Sequence, residues 1–113
     1  MASITLDMAV DICEELGINY QVTERNENNP EHYGQIRILP NNIEMEYITI
    51  AIALEEYNFS VGYNYGNIHA SGNYSTKRFT GNNMRAFLQL VVGRPLHQVD
   101  GDGDLNWFFA GLE

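Results

Sequence analysis

Apolar residues recur at three- and four-residue spacing from Leu6 through Ala9, Val10, Ile12 and Cys13 to Leu16, the period of one face of a helix. Ser3 or Thr5 ahead of them offers a hydroxyl to the unpaired N–H groups of a first turn, and Gly17 behind them suits the left-handed residue that ends a helix. The period then drops to two. Ile18, Tyr20 and Val22 alternate with Asn19, Gln21 and Thr23, which predicts a half-buried strand. Glu24 to Glu31, with Asn26, Asn28, Asn29 and Pro30, has the chemistry of a surface loop. Gly34 to Leu39 predicts a second strand, with Ile36 and Ile38 on one side and Arg37 on the other, closed by Pro40-Asn41-Asn42.

Residues 43–54 admit two readings. Ile48, Ile50, Ile52 and Leu54 alternate with Thr49, Ala51 and Ala53, and four of these seven are β-branched, which predicts a strand. A helix would instead gather Ile43, Tyr47, Ile50 and Leu54 on one face. After Glu55-Glu56-Tyr57-Asn58, the residues Phe59, Val61, Tyr63 and Tyr65 share one face of a predicted hairpin strand, and Ile68 to Ser75 continue the meander. Thr80 is a candidate cap for a helix over Gly81 to Val92 whose buried stripe is Met84, Phe87, Leu88, Val91 and Val92, stopped by Gly93 and Pro95. From His97 onward an Asp/Gly turn precedes a short aromatic segment, Leu105 to Phe109, that either packs on the core or stays exposed. The order predicts a single α+β domain, 1–113: an antiparallel sheet of four to five strands with two helices on one face.

Charge adds a pattern to this outline. The 113 residues carry fifteen acids, six bases and a formal net charge of −9. Residues 1–56 hold eleven of the acids and only Arg25 and Arg37; residues 57–99 hold no acid and Lys77, Arg78, Arg85 and Arg94; residues 100–113 hold four acids and no base. Such a balance argues against a direct grip on nucleic acid, which needs clustered Lys and Arg, and favours attraction to basic partners. No apolar run approaches the roughly 20 residues of a membrane span, and no basic N-terminal patch precedes an apolar stretch, so a soluble, cytoplasmic protein without a membrane partner is expected. A single cysteine excludes a disulfide framework within the chain and fits a reducing compartment.

Motifs for catalysis are absent from the sequence, and no enzymatic activity or cofactor is expected. Asp100, Asp102 and Asp104 occupy the first three ligand positions of a calcium loop, but Leu105 stands where that loop needs Gly and Gly111 where it needs Glu. A polar turn is the better reading, with weak calcium binding as the alternative. His32, His69 and His97 show no zinc-ligand spacing. Cys13 falls on the apolar helix face and reads as a small hydrophobe. Glu44/Glu46 and Glu55/Glu56 read as surface charges rather than acid/base pairs.

Two function classes follow. In the first, Asp7, Asp11, Glu14 and Glu15 form a helix face of like charges one turn apart, relieved by no base in the helix. With Glu44, Glu46, Glu55 and Glu56 they would bind a basic, nucleic-acid-handling enzyme or toxin, carboxylates standing where phosphates sit, as in inhibitors of the phage anti-defence or immunity-protein type. The alternative is a small-ligand or nucleotide-binding module using Tyr63, Tyr65, His69, Lys77 and Arg78, on a sheet whose other face is small and flat at Ser60, Gly62 and Asn64. Homodimerisation through an edge strand stays open.

Overall fold

The computed structural model describes residues 3–101 and 103–112, with the backbone alone at 68–71 and 101. The first helix, α1 (Leu6–Leu16), forms as its spacing predicts. The Thr5 hydroxyl accepts from the Met8 N–H at 3.2 Å, and Gly17 closes the helix at φ 69°, its N–H returning to the carbonyls of Cys13 and Glu14. Leu6, Ala9, Ile12 and Cys13 are buried.

Five strands follow as a simple meander: β1 (Asn19–Arg25), β2 (Gly34–Leu39), β3 (Glu46–Ile52), β4 (Tyr57–Tyr65) and β5 (Ile68–Thr76), each antiparallel to the one before. Within residues 43–54, Glu46–Ile52 therefore resolve as a strand. Ile48, Ile50 and Ile52 are buried on one side, whereas Thr49 and Ala51 on the other are half-buried. A helix would have put Ile50 and Ile52 on different faces and lost this continuous wall. Leu54, expected to continue the wall, lies beyond the strand and is 76% exposed.

The register builds the core row by row. Ile36, Ile50, Phe59 and Tyr74 stand abreast across four strands, and Ile38, Ile48, Val61 and Gly72 form the next row. A bulge between Val22 and Glu24 ends this regularity on edge strand β1. Onto this face pack α1 and α2 (Gly81–Val91), the latter capped by reciprocal bonds between Thr80 and Asn83 and burying Met84, Phe87, Leu88 and Val91. Phe59 is the hub. Its ring lies 4.9 Å from Phe79, 5.5 Å from Phe87 and 4.6 Å from Phe109, contacts worth about 1 kcal/mol each beyond burial alone.

Two short helices, α3 (Leu96–Gly101) and α4 (Asp104–Ala110), join the two expected ones, so the layer over the sheet contains four. Pro95 does not block α3. It precedes the first turn, where a missing N–H costs nothing, and its carbonyl accepts from Gln98 at 3.0 Å. The aromatic segment divides: Leu105 and Phe109 are buried, Phe108 is partly buried, and Trp107 is 81% exposed. The opposite sheet face is polar, and its flat spot is filled. The Tyr47 ring lies over Gly62 so closely that a Cβ there would come within 2.4 Å of it, and the Arg37 guanidinium stacks on the same ring at 4.0 Å. The radius of gyration, 13.3 Å, is that of one compact domain of this length.

Candidate functional site

The acidic face of α1 survives folding, enlarged by a neighbour. The loop between β1 and β2 is stitched to the start of α1: the N–H groups of Leu6 and Asp7 donate to the carbonyls of His32 and Glu31 at 3.1 and 3.2 Å. This brings Glu31 beside Asp7, whereas Glu24, paired with Gln35 and so in line with Ala51, faces the opposite side of the sheet. Of Glu31 and the four acids of α1, all but Asp7 are exposed, and the Asp7 carboxylate is half-exposed. Reading the sequence helix by helix misses Glu31. The signal available is the density of acids, since residues 1–56 hold eleven of the fifteen in the chain.

Relief comes from outside the helix. Arg25 on β1 reaches Asp7 at 3.2 Å and the Pro30 carbonyl at 2.8 Å, and Arg85 on α2 reaches Glu15 at 3.0 Å. Both pairs are roughly half exposed, where an ion pair contributes between nothing and about 1 kcal/mol. The Tyr20 hydroxyl donates to Glu14 at 2.6 Å, and that bond to a carboxylate raises the phenol above its ordinary pKa. Asp11, Glu24, Glu27 and Glu31 form no ion pair among the described residues. The last turn of α1 has no base to complement its carbonyl end.

The remaining acids named from the sequence scatter. Glu55 and Glu56 sit in the turn after β3, at the same sheet end as the β1–β2 loop; a shallow groove of about 440 Å³ lies between that loop and the turn, lined by Glu24, Asn26, Asn28 and Leu54. Glu56 also accepts from the Ser75 hydroxyl. Glu44 is exposed at the opposite end. Glu46 corrects the sequence reading outright. It is 1% exposed, points to the core face opposite Tyr63, and so is not displayed to a partner.

The ligand-binding set does not assemble either. Tyr63 is buried, and its hydroxyl donates to Asp100 at 3.3 Å. Tyr65 is paired with Ile68 at one end of the β4–β5 ladder, whereas Lys77 and Arg78 follow the other end, where Tyr57 pairs with Thr76. Nine-residue strands put those ends about 25 Å apart. The His69 side chain lies outside the described residues.

Two of the three calcium candidates are engaged by other side chains. Asp100 lies in α3 and accepts from both Tyr63 and Tyr74, beside Gly72, where a Cβ would stand 2.9 Å from its carboxylate. Asp104 opens α4 and pairs with Arg94 at 2.8 Å, and Asp102 lies outside the described residues. Among the described residues no group of three or more His, Cys, Asp or Glu is placed to hold a metal ion. Burial, and then Asp100, holds Tyr74 and Tyr63 above the ordinary phenol pKa. Cys13 is buried, and its thiol is pushed up to about 12 by burial, with Glu14 adding to the shift, which makes it a poor nucleophile.

No family model, curated protein or solved structure matches the chain. Its chemistry therefore rests on this geometry. No helix among the described residues is long and apolar enough to cross a membrane.

Proposed function

We propose that this is a binding protein whose acidic flank, made by α1 and the β1–β2 loop, engages a basic surface on a nucleic-acid-handling protein and blocks it, the carboxylates taking the positions of phosphates. The observation that carries this reading is the imbalance on one stitched surface: five carboxylates, Asp7, Asp11, Glu14, Glu15 and Glu31, against Arg25 and Arg85. Opposite charge would steer association and make it sensitive to salt. The flank places no nucleophile beside a base, which favours binding over catalysis as its role.

The test is affinity for a panel of basic DNA- and RNA-binding enzymes, measured at low and high salt, for the wild type and for the combined variant Asp7→Asn, Asp11→Asn, Glu14→Gln and Glu15→Gln. A target should lose at least about tenfold in affinity to the variant, more at low salt, and nucleic acid should compete with the wild type. Unchanged affinity in the variant would refute the proposal.

A further inference from the structure

The two edges of the sheet are built differently. β1 carries Glu24 and Arg25 and breaks its register at a bulge between Val22 and Glu24, devices that keep an open edge from pairing. β5 has neither. Its nine residues, Ile68–Thr76, hold one unbroken register with β4 and include no charge and no proline. The loop between them is two residues long, with Gly66 at φ 64°, so Tyr65 and Ile68 exchange both backbone bonds across it. Bonding then alternates along the ladder: residues 68, 70, 72, 74 and 76 turn their N–H and C=O groups to β4, and 69, 71, 73 and 75 turn theirs outward. Among the described residues, no backbone bond joins this outward side to another element.

Charge decides what can approach it. α1, with its acids, packs on β1 and β2 at the far side of the sheet, whereas the acid-free stretch 57–99 supplies β4, β5 and α2. A second copy of this chain can therefore approach along β5 with the α1 acids of both at the outer ends. The register follows from Gly72, over which Asp100 sits. Pairing centred on Gly72 would set the two Asp100 carboxylates across the axis from each other, and pairing centred on Ser71 would set Tyr74 opposite an isoleucine and Gly72 opposite an alanine. Centred on Asn73, it offsets the carboxylates by two residues, about 7 Å, and sets Tyr74 of each copy opposite Gly72 of the other, large against none. We propose that β5 pairs antiparallel with β5 of a second copy about a two-fold axis at Asn73, joining two five-stranded sheets into one. The contact uses the same residues on both sides, so it closes at two. It does not depend on the acidic flank.

Sedimentation equilibrium over a concentration series, with amide hydrogen exchange at low and high concentration, is the direct test. The proposal expects a reversible dimer, and protection of the Ser71, Asn73 and Ser75 amides that arises only with dimerisation. Asn73→Cys should form an intermolecular disulfide under mild oxidation, because the two Cα atoms stand about 5.5 Å apart at the axis and Cys13 is buried. Asn73→Pro removes the two central donors and should weaken the dimer at least about tenfold, and an open edge tolerates proline. Asn73→Asp keeps the acceptor for the Ser60 hydroxyl, 3.1 Å away, but opposes two carboxylates; it should weaken the dimer about fivefold, and salt should restore it. The aspartate arm still decides if the proline variant does not fold. A monomer at every concentration up to about 1 mM, an assembly larger than two, undiminished dimerisation in the variants, or a dimer that the cysteine variant does not cross-link would overturn the proposal.

Discussion

Asp7 and Glu15 lie on the outside of the molecule, Asp100 is half-buried and Glu46 lies within it, yet all four are carboxylates with hydrogen-bond partners. Outside, each answers to one arginine that is itself half in water, and nothing around it depends on the contact. Asp100 instead collects two tyrosines from neighbouring strands and ties α3 to the sheet over the gap left by Gly72. Glu46 accepts from Asn41, the residue that joins two connections. Water sets the difference: a surface carboxylate loses little hydration, whereas an interior one must have its hydrogen bonds supplied by the fold. The outer set thus stays in water, and the inner set holds the shape.

The sharpest way to break this contrast is to remove one carboxylate from each class. Asp100→Ala strips the acceptor from Tyr63 and Tyr74 together and should cost about 2 kcal/mol or more in urea unfolding. Asp7→Asn should change stability by less than about 0.5 kcal/mol. Equal costs would mean that the inner acid is no more structural than the surface one.

A smaller effect should come from alkali, because three of the groups held neutral belong to the interior. The Cys13 thiol, with an ordinary pKa of 9.0, is raised to about 12 by burial foremost, and Tyr74 and Tyr63 are raised above 10.0, again by burial first. Each is raised in the folded state, so its contribution is fully present below the unfolded pKa and is lost as pH rises through the folded one. Stability should hold to about pH 9 and decline from there towards about 12. Unfolding measured across that range, with phenolate absorbance read alongside, checks it. Stability that stays flat, or tyrosines that all titrate together at the ordinary value, would contradict the buried pairings.

Much of this architecture was legible because local and global preferences agree. Leu6 to Leu16 carries a helical period, a cap and a glycine stop, and the meander strands alternate cleanly. The tail is not legible, because α3 and α4 span only six and seven residues and are separated by glycines. Pro95 has the chemistry of a stop but marks a start in the fold. Glu46 could have been read correctly: its parity matches the buried isoleucines, but its nearness to Glu44 suggested surface. The Asp100 pairings could not be found from spacing, since Tyr63 and Tyr74 reach it only through the register of β4 with β5 and the docking of α3. On the flank, the four acids of α1 were visible in the sequence, but the arginines that meet two of them come from β1 and α2.

The smallest expected effect bears most directly on the flank. Arg85 and Glu15 are 3.0 Å apart, with side chains 44% and 55% exposed. At that exposure, Coulomb attraction is screened and ordering two long side chains offsets much of what remains. A double-mutant cycle with Arg85→Ala and Glu15→Ala should therefore give a coupling of about 0.5 kcal/mol or less, shrinking as salt is added. A coupling well above about 1 kcal/mol that persists in high salt would mean that α2 neutralises the α1 face as a fixed network. In that case the carboxylates would already be spoken for within the protein, and a basic partner would have to break those bonds before it could make its own.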